Sequence, residues 1–162
     1  MVVPDKPQFL AKVSGGKRMP IYRDLLADME TPLSAYWKIA NEEVHSFLLE
    51  SVTGGEQVSR YSLIGIRPTS VLRTKDRDWT LIGSSGQKKS GQIEPGTDPL
   101  TLLKEQLAEK ELVHVPGLPA FVGGAVGMLG YDLVRFFEEL PGGPVDDLKV
   151  DDLAMMLMDI VV

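Results

Sequence analysis

The sequence predicts an α+β fold: mixed or antiparallel β-sheet layers with a few helices packed on them. Three observations carry this reading. Short apolar runs recur in pairs around turn signals, as in Ser46–Ser51 with Tyr61–Ile66 and Val71–Thr74 with Trp79–Ile82. A capping side chain stands before a proline twice, at Thr31-Pro32 and Asp98-Pro99, which is how helices begin. The glycine-rich run Phe121–Gly130 and the apolar run Leu153–Val162 then supply strands for a core.

In chain order, the first twenty residues mix Pro, Gly and Lys without periodicity, and Phe9, Leu10 and Val13 read as a short strand. Leu25, Leu26 and Met29 in Ile21–Met29 are spaced for a helical turn or two. After Thr31-Pro32, the residues Leu33, Tyr36, Trp37 and Ala40 share one face of a helix that ends near Asn41. The strands Ser46–Ser51 and Tyr61–Ile66 flank a loop, Val52–Ser59, containing Gly54-Gly55, and make an antiparallel hairpin. A second strand pair turns at Lys75-Asp76-Arg77-Asp78. Gly83–Gly96 is polar and glycine-rich and reads as an exposed loop. Asp98-Pro99 opens a helix through roughly Glu111, with Leu100, Leu103 and Leu107 on its apolar face. Tyr131–Leu140 follows as a short helix, and Pro141-Gly142-Gly143-Pro144 as a loop. The chain's end inside an apolar strand fits either a longer polypeptide cut short or a terminal strand tucked into a sheet.

Composition excludes several functions. Among 162 residues, 43% are hydrophobic and 25% charged, as in ordinary globular domains. A formal charge of −6 argues against a nucleic-acid partner, since Lys88-Lys89 is the densest basic pair. There is no cysteine, hence no disulfide, thiolate nucleophile or cysteine metal site. The start of the chain lacks a secretory signal, and Ala120–Tyr131 is too short and too glycine-broken to span a bilayer. These features read as a soluble, cytoplasmic protein without nucleic-acid or membrane partners.

Chemistry-bearing motifs are few. His45 and His114 are far apart and unsupported as metal ligands. Asp146-Asp147 and Asp151-Asp152 lack the spacing of a calcium loop and read as solvated loop acids. Gly124, Gly127 and Gly130 recur every third residue, which matches no phosphate-binding loop; glycines in a strand usually admit a bulge or the close approach of another backbone. Ser51 has no nucleophile elbow around it. No catalytic residue and no metal site is assigned. What remains is the hairpin, with Glu50-Ser51 ending one strand and Arg60-Tyr61-Ser62 opening the next. Such a cluster fits a zwitterion, with Glu50 facing an ammonium, Arg60 a carboxylate, and two hydroxyls fixing orientation. It also fits a plain Glu50–Arg60 ion pair at a sheet edge, and physics alone favours that simpler reading.

Thr31-Pro32, Phe47-Leu-Leu-Glu-Ser51, Gly54-Gly-Glu56 and Arg60-Tyr-Ser-Leu-Ile-Gly65 resemble the N-terminal region of anthranilate synthase component I, a chorismate-utilising enzyme. Phe121-Val-Gly-Gly124, Gly130-Tyr-Asp132, Arg135 and Glu138–Pro141 continue the resemblance in the same order, from about Pro20 to Val162. The resemblance implies that residues 1–162 are the N-terminal part of that fold, without the C-terminal chorismate-binding catalytic half. It implies an enzyme that converts chorismate to anthranilate and pyruvate in tryptophan biosynthesis, using ammonia from a glutamine amidotransferase subunit, component II. Magnesium would belong to the other half, with no cofactor in this segment, which alone would be inactive. It further implies L-tryptophan as feedback inhibitor, bound between the halves at Leu49, Glu50 and Ser51, with Arg60, Tyr61 and Ser62 completing the pocket. That reverses the simpler reading of the hairpin. Two rivals stay open: aminodeoxychorismate synthase component I of folate synthesis, and a stand-alone amino-acid-binding module. An apolar face left exposed would favour a homodimer.

Overall fold

The structure is a computed structural model, describing residues 1–13, 15–50, 61–107, 112–143 and 145–162. Its α+β architecture is as the sequence predicts, with two antiparallel sheets and three short α-helices among the described residues. Helix α1 spans Lys6–Lys12, where a strand was expected at Phe9, Leu10 and Val13. The local chemistry explains the difference. The Asp5 carboxylate accepts from the Gln8 amide at 2.8 Å, the Gln8 side chain accepts from the Asp5 amide at 3.4 Å, and Pro7 sits in the first turn. This capping box satisfies helix-end donors that an isolated strand here would leave to solvent. Conversely Ile21–Met29 is not helical. Tyr22 pairs with Val3 and a turn follows at Asp28-Met29, while Leu25, Leu26 and Met29 stay exposed. Spacing without a surface to bury against does not make a helix.

Helix α2, Pro32–Ala40, forms where its signal stands, with the Thr31 hydroxyl accepting from the Ser34 amide at 3.1 Å. Of its expected face only Ala40 is buried and Tyr36 half-buried; Leu33 and Trp37 are exposed. Strands β1, Ser46–Glu50, and β2, Ser62–Ile66, form the antiparallel ribbon, and α2 packs on it. The outer edge of β2 is also occupied: the amides and carbonyls of Ile64 and Val162 exchange two bonds of 2.7 and 2.8 Å.

The larger sheet has the order β5-β4-β3-β7-β6 and is antiparallel throughout. Its members are β3 (Ser70–Lys75), β4 (Asp78–Gly83), β5 (Lys88–Gln92), β6 (Gly124–Leu129) and β7 (Leu153–Met158). Strand β5 corrects the expected loop at Gly83–Gly96. Gly86 turns the chain at φ +81°, the Gly83 amide bonds the Gln87 carbonyl at 2.9 Å, and Gly91 lies against the Trp79 indole. The polarity of Lys88, Lys89 and Ser90 is that of an exposed edge strand, where charge discourages further pairing.

Helix α3, Pro99–Gln106, starts at its predicted cap and is closed by Leu107, with residues 108–111 of the expected helix outside the described ones. Leu102 and Leu103 pack on the buried cluster of Leu72, Leu153, Met155 and Leu157, whereas Leu100 and Leu107 are exposed. The expected helix at Tyr131–Leu140 is a single 3₁₀ stretch, Tyr131–Phe136, which no side chain caps. Gly127 is the clearest instance of close backbone approach: a methyl group there would run into the Ala154 carbonyl of β7.

Candidate functional site

The hairpin register sets Leu49 opposite Leu63 and Glu50 opposite Ser62. Pleating then sorts these residues by face. Ser46, Leu48 and Glu50 share one face with Ser62, Ile64 and Ile66, and there the Ser46 and Tyr36 hydroxyls meet at 2.9 Å. Phe47 and Leu49 share the other face with Leu63 and Gly65. The Phe47 ring lies over Gly65, filling the space of a side chain, and meets Phe121 edge-on at 6.4 Å. Glu50 and Ser62 are therefore neighbours on the α2 side, while Leu49, 48% exposed, points away from them. Tyr61, just before β2, is 42% exposed. Ser51 and Arg60 lie outside the described residues, and with them the Glu50–Arg60 ion pair.

A second polar centre joins loop and sheet. Asp152 is buried at 5% exposure, accepting from the Asp76 amide at 2.6 Å and from Lys75 Nζ at 3.2 Å. The reading of this acid as a solvated loop residue is corrected: β3 and its turn bring it donors that desolvation alone would not allow it to lack. Lys75 Nζ also meets Asp146 at 2.6 Å, and Arg73 pairs with Asp151 at 3.6 Å. The hydrogen bond from Lys75, and then that from the Lys149 amide, hold the Asp146 carboxyl below the usual carboxylate range. The same Asp146 contact pushes Lys75 above the ordinary lysine value. No three His, Asp or Glu converge as metal ligands among the described residues. No described helix is long and apolar enough to cross a membrane.

A cleft of about 370 Å³ opens at the β3–β4 turn. Its walls are Asp76 and Arg77 of that turn, Gly96-Thr97-Asp98 before α3, and Arg135-Phe136-Phe137 at the end of the 3₁₀ stretch. Arg77 donates to the Ile93 and Glu94 carbonyls at 2.8 and 3.2 Å, and its guanidinium carbon stands 5.8 Å from the Phe136 ring centre. Arg135 is held by one nitrogen, Nε, which donates to Asp132 at 2.7 Å. Asp98 is occupied as a cap, accepting from the Leu100 and Thr101 amides and the Thr101 hydroxyl. Sequence reading missed this cleft because three segments far apart in the chain build it. Arg77 was visible only as part of a turn, and Arg135 only as part of the expected short helix and of the family motif.

No family model matches the chain. Known proteins do. The chain is 35% identical to "Anthranilate synthase component 1" of Synechocystis, over 94% of this chain and 29% of that protein. The Pseudomonas putida protein of the same name is 38% identical over 98% of this chain and 32% of its own length. That of Thermus thermophilus is 40% identical over 88% and 29%. Among solved structures, anthranilate synthase component I from Streptococcus pneumoniae covers 86% of this chain and 28% of itself, with a TM-score of 0.49 at 24% identity. The chain thus spans about three-tenths of the length of the curated relatives it matches.

Proposed function

The chain is a relative of anthranilate synthase component 1, and from that premise we propose that it is the N-terminal, tryptophan-binding regulatory portion of such an enzyme. The whole enzyme would convert chorismate and ammonia to anthranilate and pyruvate in tryptophan biosynthesis. The ammonia would come from a component II amidotransferase, and catalysis with its magnesium would lie in a further half of the polypeptide. Residues 1–162 alone would be inactive. The observation that carries the regulatory reading is the register of the hairpin. Glu50 stands exposed beside the half-buried Ser62 at the end of a ribbon otherwise anchored by α2 and Phe121, so a carboxylate faces solvent next to a hydroxyl on an anchored base. A carboxylate so placed attracts the ammonium of an amino acid, and the family resemblance adds Leu49, Ser51, Arg60 and Tyr61 to the proposed set.

Inhibition would be a coupling between this site and the catalytic one, tryptophan favouring an arrangement of the halves that turns over poorly. The test uses the enzyme expressed with the remainder of its reading frame. Glu50→Gln is expected to weaken tryptophan inhibition by about tenfold, the loss of one charge-assisted contact. Ser51→Phe is expected to relieve it while sparing turnover without tryptophan. Inhibition curves unchanged by both substitutions would sink the assignment of this hairpin. The product decides the enzyme: fluorescent anthranilate with released pyruvate supports the reading, and aminodeoxychorismate without pyruvate overturns it.

A further inference from the structure

We propose that the cleft at the β3–β4 turn is a second binding site, one that takes a small anion bearing a carboxylate or phosphate group. It is independent of the hairpin and of the function proposed for it. Two guanidinium groups line the cleft, and each keeps N–H donors for a ligand. Arg77 uses one terminal nitrogen, Nη1, on the Ile93 and Glu94 carbonyls, leaving Nε and Nη2. Among the described residues Arg135 uses only Nε, on Asp132, and Nη2 lies against Gly143, which leaves Nη1. Both side chains are oriented by contacts within the chain. The two carbonyls and the Phe136 ring hold Arg77, while Asp132 holds Arg135, whose guanidinium lies where a side chain on Gly143 would be. A preordered guanidinium fork loses little freedom on binding a planar carboxylate or a phosphate, which is the geometry it matches best.

The acids in the wall do not cancel this. The Asp98 carboxylate already accepts from two amides and a hydroxyl of α3, and the partial positive charge of the helix start offsets part of its own. Asp76 is the exception. Its amide is bound to Asp152, but its carboxylate has no partner among the described residues. An uncompensated carboxylate in an anion site weakens it, and that makes the proposal testable in both directions. Asp76 lies at φ +50°, a conformation asparagine adopts readily, so Asp76→Asn removes the charge without disturbing the turn.

The experiment is a titration of the 162-residue chain with inorganic phosphate and, separately, with succinate, at constant ionic strength, followed by backbone amide NMR. Shift changes are expected to centre on Asp76, Arg77, Gly96, Thr97 and Arg135–Phe137. Arg135→Gln should weaken the response about threefold, and Asp76→Asn should strengthen it by a similar factor, each the size of one exposed charge contact. The two titrations tell the sources apart: a response to phosphate alone assigns a phosphate ligand, and a response to succinate alone a carboxylate. Shifts spread evenly over surface lysines such as Lys88 and Lys89, no shift with either anion, or affinities unmoved by both substitutions would overturn the site.

Discussion

Thr74 is 1% exposed on β3, between β4 and β7, and its hydroxyl has no hydrogen-bond partner among the described residues. An unpaired buried hydroxyl keeps its desolvation cost with nothing to offset it. Thr74→Val keeps the branched shape, and a gain of up to about 1 kcal/mol is expected from urea unfolding. Gly127 presents the opposite case. Its missing side chain is what lets β6 approach the Ala154 carbonyl, and a backbone group cannot swing aside as a side-chain tip would. Gly127→Ala is expected to cost about 1–3 kcal/mol, as other overpacking changes do. An unchanged urea midpoint would mean that β6 does not pair as described. The glycine's structural role was legible from its place in an apolar run, because a glycine in a strand often marks a bulge or the close approach of another backbone. The burial of Thr74 was not legible, since threonine suits an exposed strand equally well.

At the scale of elements, the caps were the most readable features. Thr31-Pro32 and Asp98-Pro99 start α2 and α3 where expected, because a cap and its first amides lie within three residues of each other. Asp98 bonds three donors of α3, and α3 covers the core through Leu102 and Leu103. Asp98→Ala is therefore expected to cost about 1–2 kcal/mol, measured by chemical unfolding. Loss of only a few tenths would show that packing alone holds the helix. The missed elements share one cause. Strand β5 exists because β4 offers its edge to Lys88–Gln92, and nothing in that polar run announces the template. Ile21–Met29 carries helical spacing but no cap, and its leucines find no surface.

For the molecule as a whole, the Lys75 cluster ties the 145–152 stretch to the sheet. Because the folded Asp146 carboxyl is held below its ordinary value, its contribution is present above the usual carboxylate range and is lost as pH falls through the lowered value. The urea midpoint is thus expected to be flat from neutral pH down to about pH 4 as far as this contact is concerned, and to fall in more acid solution. Asp146→Asn should lower the midpoint at neutral pH and shrink that acid step; an identical acid profile would show that other carboxylates set it. The two sheets are joined as the chain leaves β7 and Val162 pairs with Ile64.

The sequence by itself determined the α+β class, the starts of α2 and α3, the hairpin β1–β2, the pairing of β3 with β4, and the strand character of β6 and β7. In each, capping groups, turn residues and alternating side chains lie within a few residues of the contacts they make. It also placed Glu50 and Ser62 at one end of the hairpin, since pairing across a short connection follows from pattern. Only the tertiary structure decided the strand order β5-β4-β3-β7-β6, the side of the hairpin that α2 covers, the burial of Asp152 and the meeting of Arg77 with Arg135 across one cleft. Strand order, burial and the cleft depend on segments brought together from distant parts of the chain, Arg77 and Arg135 being 58 residues apart, and no local preference encodes such a meeting. The facing of the hairpin depends on which surface α2 covers, which only packing settles.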